Sequence, residues 1–365
     1  MPTESINMYL SPGARLAIYA EGEFGKGRSK TAEGVLRYAK NPIAAVIDST
    51  SAGKSIKEAV NIDCPAPIVS SLAEALAYKP DAFLLGTAWS GGRLPEAWRT
   101  DIKSAISNGL DVVNGLHDML CDDEEIAALA AKHGKRLLDV RKAPDNLPVG
   151  EGLARKVDAF VVLTVGSDCS VGKMTVSLEL MAEAERRGKK AAFVATGQTG
   201  IMIAGGKGIA IDRVIGDFMA GATEQMVLEA APGNDFVFVE GQGSLVHPSF
   251  SGVTLALMHG SCAKAMILCH KAIRKTINAL PDFPQPDLKT MVEISETMAA
   301  FVQPAKVVAV AVNTVGMDDE AARQAVEHAA QRTGLPANDP VRFGSKNLLD
   351  ALLAYQEKQS KTAVR

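Results

Sequence analysis

At 365 residues, 47% of them hydrophobic and 22% charged, the chain has the core material of a soluble globular protein and the length for two domains. A net charge of -3 offers no broad attraction to nucleic acid or to an anionic membrane, so a small molecule is the expected ligand. Five widely spaced cysteines (Cys64, Cys121, Cys169, Cys262 and Cys269) form no CxxC pair, which argues against a disulfide framework or a structural zinc site. We read no export signal and no apolar run of membrane-spanning length, and expect a reducing cytoplasm.

From residue 14 to 141 short apolar runs ("ARLAIYAEG", "IAAVIDST", "AFLLGTA", "DVVNGL", "RLLDVRK") alternate with amphipathic segments such as "TAEGVLRYAKN" and "DDEEIAALAAKHG". That alternation predicts a parallel sheet with helices on its faces, hence a Rossmann-like domain over residues 1–143. Residues 144–156, rich in proline and glycine, read as an exposed connection. A second α/β series fills 157–365. "AFVVLTVG" is a buried strand, Met174 to Arg187 a helix with Val176, Leu180, Met181 and Ala184 on its inner face, and "KAAFVATG", "DFVFVEGQG", "AMILCH" and "KVVAVAVNT" are further strands. Pro281 to Asp287 reads as a breaker or lid support, Asp318 to Arg332 as a helix, and "NLLDALLAYQEK" as a docked C-terminal helix.

The most specific motif is "GSDCSVGKMT", Gly166 to Thr175, between a strand and a helix. Backbone N–H groups of Ser167, Cys169, Ser170, Val171, Gly172 and Met174, with the helix N-terminus, suit phosphate oxygens there, and Lys173 adds a positive charge. The spacing departs from the usual phosphate loop: five residues separate Gly166 from Gly172, and Met174 stands between Lys173 and Thr175. Thr175 or Ser170 would ligate magnesium if the ligand were a nucleoside triphosphate. Glu240 closes the strand "DFVFVEGQG" and faces either a water-held magnesium or a proton to be accepted.

Other constellations leave two readings each. "ATGQTGIMIAGGKG", Ala195 to Gly208, is a glycine-rich loop that either closes over the site with Gln198 or is a surface turn. Asn313 in "VNTVG" meets an adenine edge or satisfies a turn. Gly91, Gly92 and Arg93 suit a carboxylate or form a tight connection, and His117 and Arg141 lie near strand ends, where ligands collect in open parallel sheets, or serve as a core histidine and an interface arginine. His247, in "GSLVHPSFSG" after the Glu240 segment, is a candidate acid or base, whereas His259 and His270 read as structural. Cys169, at a helix N-terminus, is a packing residue or an acyl-carrying nucleophile.

"VGSDCSVGKMT" with "VEGQGSLVHP" resembles the dethiobiotin synthetase branch of phosphate-loop proteins, and the whole chain resembles a two-domain family first known only as a domain of unknown function. The residues that carry the second resemblance are Gly115 to His117, Asp139 to Lys142, "ATGQTGIMI" and Asp339 to Gly344. It implies a Rossmann-like domain followed by a P-loop NTPase-like α/β domain. One branch of that family comprises D-glutamate N-acetyltransferases that use acetyl-coenzyme A. The loop would then anchor the coenzyme while Arg93 or Arg141 holds the substrate carboxylates. Glu240 would serve as base, ahead of Asp168 and His247, and Lys173 would stabilise the oxyanion. Two rivals stand beside this reading: an ATP- and magnesium-dependent ligase or kinase acting on a carboxylate, and a non-enzymatic nucleotide or coenzyme sensor. No resident metal is expected under the leading reading, and a homodimer is expected from base rates.

Overall fold

The computed structural model describes residues 10–88 and 92–363. The chain divides into two compact units: the first runs to Pro144 and includes Gly197–Arg213, and the second comprises Asp145–Thr196 and the chain from Val214 onward.

In the first unit, β1 (Leu16–Tyr19), α1 (Lys30–Tyr38), β2 (Ile43–Ile47), α2 (Ile56–Val60), β3 (Ile68–Val69), α3 (Leu72–Leu76), β4 (Ala82–Leu85), α4 (Trp98–Ser107), β5 (Asp111–Asn114), α5 (Glu124–His133) and β6 (Leu137–Asp139) follow in order. The strands pair in parallel in the order β3-β2-β1-β4-β5-β6, the doubly wound order of Rossmann folds. β1 and β4 are buried along their whole length because helices cover both faces of the sheet, which is why their sequences read as continuous apolar runs.

The second unit contains β7 (Phe160–Gly166), α6 (Lys173–Arg186), β8 (Ala191–Val194), α8 (Gly216–Ala230), β9 (Phe236–Val239), α9 (Ser251–Ser261), β10 (Ala265–Lys271), β11 (Thr276–Ile277), β12 (Leu280–Pro284), α10 (Leu288–Ala300), β13 (Lys306–Asn313), α11 (Asp319–Thr333), β14 (Ala337–Asn338) and α12 (Lys346–Ala363). Its parallel sheet has the order β14-β13-β10-β7-β9-β8. Connections from β7 lead to one side and those from β10 to the other, so the topological switch point lies between the C-terminal ends of β7 and β10, where ligands of such sheets bind. Val162, Val176, Leu180, Ala184, Phe236, Phe238, Ile267 and Leu348 belong to its core, including three of the four residues expected on the inner face of α6.

Two segments differ from the sequence reading. Gln198–Ile203 forms a short helix, α7, within a segment of the first unit rather than a loop of the second. Its burial is tertiary: a Cβ on Gly115 would lie 2.8 Å from Met202 Cε and 3.1 Å from Gln198 Cγ, and Thr199 Oγ1 meets Thr31 Oγ1 at 2.8 Å. Pro281–Pro284 lie in β12, paired with β11 in an antiparallel hairpin whose exposed position tolerates prolines that cannot donate to a ladder. Most of the connection over 144–156 is exposed, and it is anchored to its own unit at a few points. Buried Glu224 accepts from the backbone N–H groups of Glu151 and Leu153, and Gly221 lets the Pro148 carbonyl approach, where a Cβ would sit 1.9 Å away.

Candidate active site

The phosphate-type loop occupies the turn between β7 and α6, at the switch point of its sheet. Gly172 caps α6 with φ +106°, a conformation that favours glycine, and Ser170 adopts φ +53°. Together they turn the chain so that the first turn of α6, Lys173 to Thr175, presents N–H groups without carbonyl partners inside the helix. Val171 is buried under the loop, while Cys169, Met174 and Thr175 are partly exposed. The Lys173 ammonium folds back onto the loop and donates to the Asp168 carbonyl at 2.9 Å. Burial pushes its pKa down, opposed by the nearby Cys169, Cys269, Asp168 and Glu240.

Glu240 follows β9 and is buried. Its Oε2 accepts from Thr196 N at 3.0 Å, and its carbonyl accepts from Thr196 Oγ1 at 2.6 Å. The neighbouring Gly241 allows two strand ends to touch: a Cβ there would lie 1.7 Å from the Thr164 carbonyl oxygen and 2.9 Å from Lys173 Cδ. Gly241 N also donates to Thr164 Oγ1 at 2.9 Å, and Ser244 Oγ donates to the Gly166 carbonyl at 2.9 Å. The sheet therefore brings Gly241, at the end of β9, against the stem of Lys173.

Asp168 is fully buried and serves as a strut of the loop. Arg274 pairs with it at 2.8 Å, and the N–H groups of Asn278 (2.7 Å) and Cys169 (2.6 Å) donate to it. His247 is also buried: Ser249 N donates to its Nδ1 at 3.2 Å, and its Nε2 lies 3.3 Å from the Asn278 carbonyl. Ligand atoms of Asp168, Cys169 and His247 come within 4.8 Å of one another. Both carboxylate oxygens and both ring nitrogens in that group already have partners, so it is held as a hydrogen-bonded cluster. Ser167 Oγ meets His270 Nδ1 at 3.0 Å and accepts from Gln285 Nε2 at 2.9 Å. Burial, with the charges of Arg274 and His328, pushes the pKa of His270 down to about 4, so its ring is neutral at pH 7. Asn313, the last residue of β13, donates weakly to the Val171 carbonyl at 3.5 Å and accepts from Val315 N at 3.1 Å, bracing the loop.

The remaining predicted residues belong to the first unit. Gly91 lies outside the described residues. Gly92 accepts from His117 N at 2.9 Å, and Arg93 is exposed and has no ionic partner among the described residues. His117 is partly buried, and burial followed by the positive charge of Arg141 pushes its pKa down. Arg141 is buried, pairs with Asp212, and donates through Nε to the Gly115 carbonyl at 2.8 Å. Its guanidinium thus already holds a carboxylate of its own chain. Gln198, expected at the loop, opens α7 in the first unit.

A P-loop domain described as a domain of unknown function (DUF1611_C) matches residues 148–349, and a Rossmann-like domain of the same description (DUF1611_N) matches residues 49–143. The chain belongs to the DUF1611 family. A crystal structure of a DUF1611 protein from Anabaena variabilis is 41% identical, with a TM-score of 0.89 over 94% of this chain and 100% of that one. A D-glutamate N-acetyltransferase from Tritonibacter scottomollicae is 40% identical over 288 residues, 78% of this chain and 84% of its own. A second protein of that name, from a Pseudoalteromonas species, is 39% identical over 280 residues, 76% and 83% of the two chains. The family is the one that the loop and the "GLH", "DVRK" and "DPVRFG" stretches resemble.

The sequence reading did not single out Arg274 and Gln285, which brace the loop beside His270. The signal was present: "AMILCH" reads as a strand, so "KAIRK" behind it lies at a strand end of the kind that lines sites in parallel sheets. In "DPVRFG", Asp339 is buried and accepts from Thr314 N at 3.1 Å, which fixes the turn after Asn313.

Proposed function

We propose that this DUF1611 protein is an N-acetyltransferase that moves an acetyl group from acetyl-coenzyme A to the amine of D-glutamate or a related D-amino acid. Its similarity across three quarters of the chain to two relatives of that name carries the choice of reaction. The geometry supports the coenzyme: a loop with buried Lys173 and the open first turn of α6 suits a diphosphate. The hydroxyl that usually follows the loop lysine is displaced by Met174, which favours holding a phosphate over metal-assisted cleavage of one. When bound, the coenzyme supplies an activated acyl group.

The chain's residues supply the rest. An α-amine is protonated near neutral pH, so a base must take its proton before attack on the thioester carbonyl. Glu240, the buried carboxylate that follows β9, is the residue we assign to this proton. Lys173 and the first turn of α6 are taken up by the diphosphate, which the pantetheine arm separates from the reacting carbonyl, so other donors meet the negative charge on the carbonyl oxygen as the C–N bond forms and the C–S bond breaks. The grouping of Cys169 with His247 and Asp168 favours a second route in which Cys169 first accepts the acetyl group.

The test supplies purified protein with D- and L-amino acids and either acetyl-coenzyme A or ATP with magnesium, and follows free thiol and ADP. Thiol release with D-glutamate is expected; ADP release without thiol release overturns the proposal. Glu240→Gln is expected to lower turnover by about 100-fold or more while coenzyme affinity changes far less. Unchanged turnover removes Glu240 as the base. Cys169→Ala retains turnover under direct transfer and abolishes it under the acyl-cysteine route.

A further inference from the structure

Beside the loop, on the β10 side of the switch point, lies a cleft of about 330 Å³. It adjoins the loop through two side chains that line it: Arg274, which pairs with Asp168 and donates to the Cys169 carbonyl, and Gln285, which donates to Ser167. Its lining is cationic. Arg274, Lys275, His328 and Arg332 face it, and Asp287, the acid among them, already pairs with Arg332 at 2.6 Å. Lys275 and His328 are exposed, and no ionic partner among the described residues engages either. Gln285 also leaves Oε1 buried without a partner, an acceptor suited to an amine or hydroxyl donor. Leu288 and Met317 provide apolar surface for a flat ring.

A coenzyme whose diphosphate lies on the loop carries a further phosphate monoester one ribose away. We infer that this cleft receives the adenosine end of the coenzyme and that Lys275 and His328 hold its ribose 3′-phosphate. The inference rests on the acetyl-coenzyme A reading and adds the group that distinguishes coenzyme A from a nucleoside diphosphate.

The test is calorimetric titration of coenzyme A and dephospho-coenzyme A into wild type and the Lys275→Ala/His328→Ala double variant. Wild type is expected to prefer coenzyme A by about tenfold or more, as charge-assisted hydrogen bonds to one dianion would give. In the double variant that preference should fall towards one. Equal binding of both ligands by wild type overturns the subsite and leaves the coenzyme reading standing, as does a preference retained by the variant. Binding of neither ligand by wild type, without thiol release, overturns the coenzyme reading and the subsite with it. If the double variant folds poorly, the wild-type preference alone decides.

Discussion

Lowering the pH from 7 to 4 protonates His270 in the unfolded chain well before it does so in the folded one. In the folded protein the ring is packed beside Arg274, shares a cleft with Lys275 and His328, and its Nδ1 faces Ser167 Oγ, which accepts from Gln285 and is oriented to donate to the ring. Burial first, then the charges of Arg274 and His328, holds its pKa at about 4 against an ordinary 6.5. A lowered folded pKa means that the unfolded state binds the proton first. Stability is therefore fully present above pH 6.5, falls as the pH drops towards 4, and changes no further below that through this group. The interval corresponds to about 2 to 3 kcal/mol. Urea unfolding of wild type and His270→Gln, followed by circular dichroism at a series of pH values, isolates this contribution. Wild type should lose that much more stability than the variant between pH 7 and 4, and the ring's NMR titration should fall near 4. Parallel losses in the two proteins, or a ring that titrates near 6.5 in the folded state, would refute the reasoning.

Two further perturbations probe the loop's support. Gly241→Ala places a Cβ 1.7 Å from the backbone carbonyl of Thr164 in β7, so the strand ends must separate. The expected loss is about 3 kcal/mol or more, read as a lowered urea midpoint, and a midpoint near that of wild type contradicts the contact. Arg274→Ala strips the counter-ion from the fully buried Asp168 and should destabilise by about 3 kcal/mol. Adding Asp168→Asn should recover part of that loss in a double-mutant cycle, and strict additivity would show that the two groups do not interact.

The sheets were legible in the sequence because parallel strands covered on both faces must be continuously apolar, and "FVVLTVG", "AFLLG" and "VVAVAVN" carry that signature locally. The loop was legible for a similar reason, since a glycine in the left-handed region ahead of a helical lysine is a local backbone requirement. Gln198–Ile203 was not: six residues flanked by glycines carry too little periodicity, and the partners that bury them, Gly115 and Thr31, are more than 80 residues distant.

Family, fold class and the loop lysine were thus determined by the sequence itself, through patterns that repeat within a strand, a helix or a turn. Tertiary structure alone decided what surrounds them. It committed Asp168 to Arg274 and Arg141 to Asp212, brought Gly241 against the stem of Lys173, and gathered Arg274, Lys275, Gln285 and His328 into one cleft. Those side chains come from a strand end, a hairpin and a helix, and the charge and dielectric that set their chemistry exist only once the sheet has brought them together.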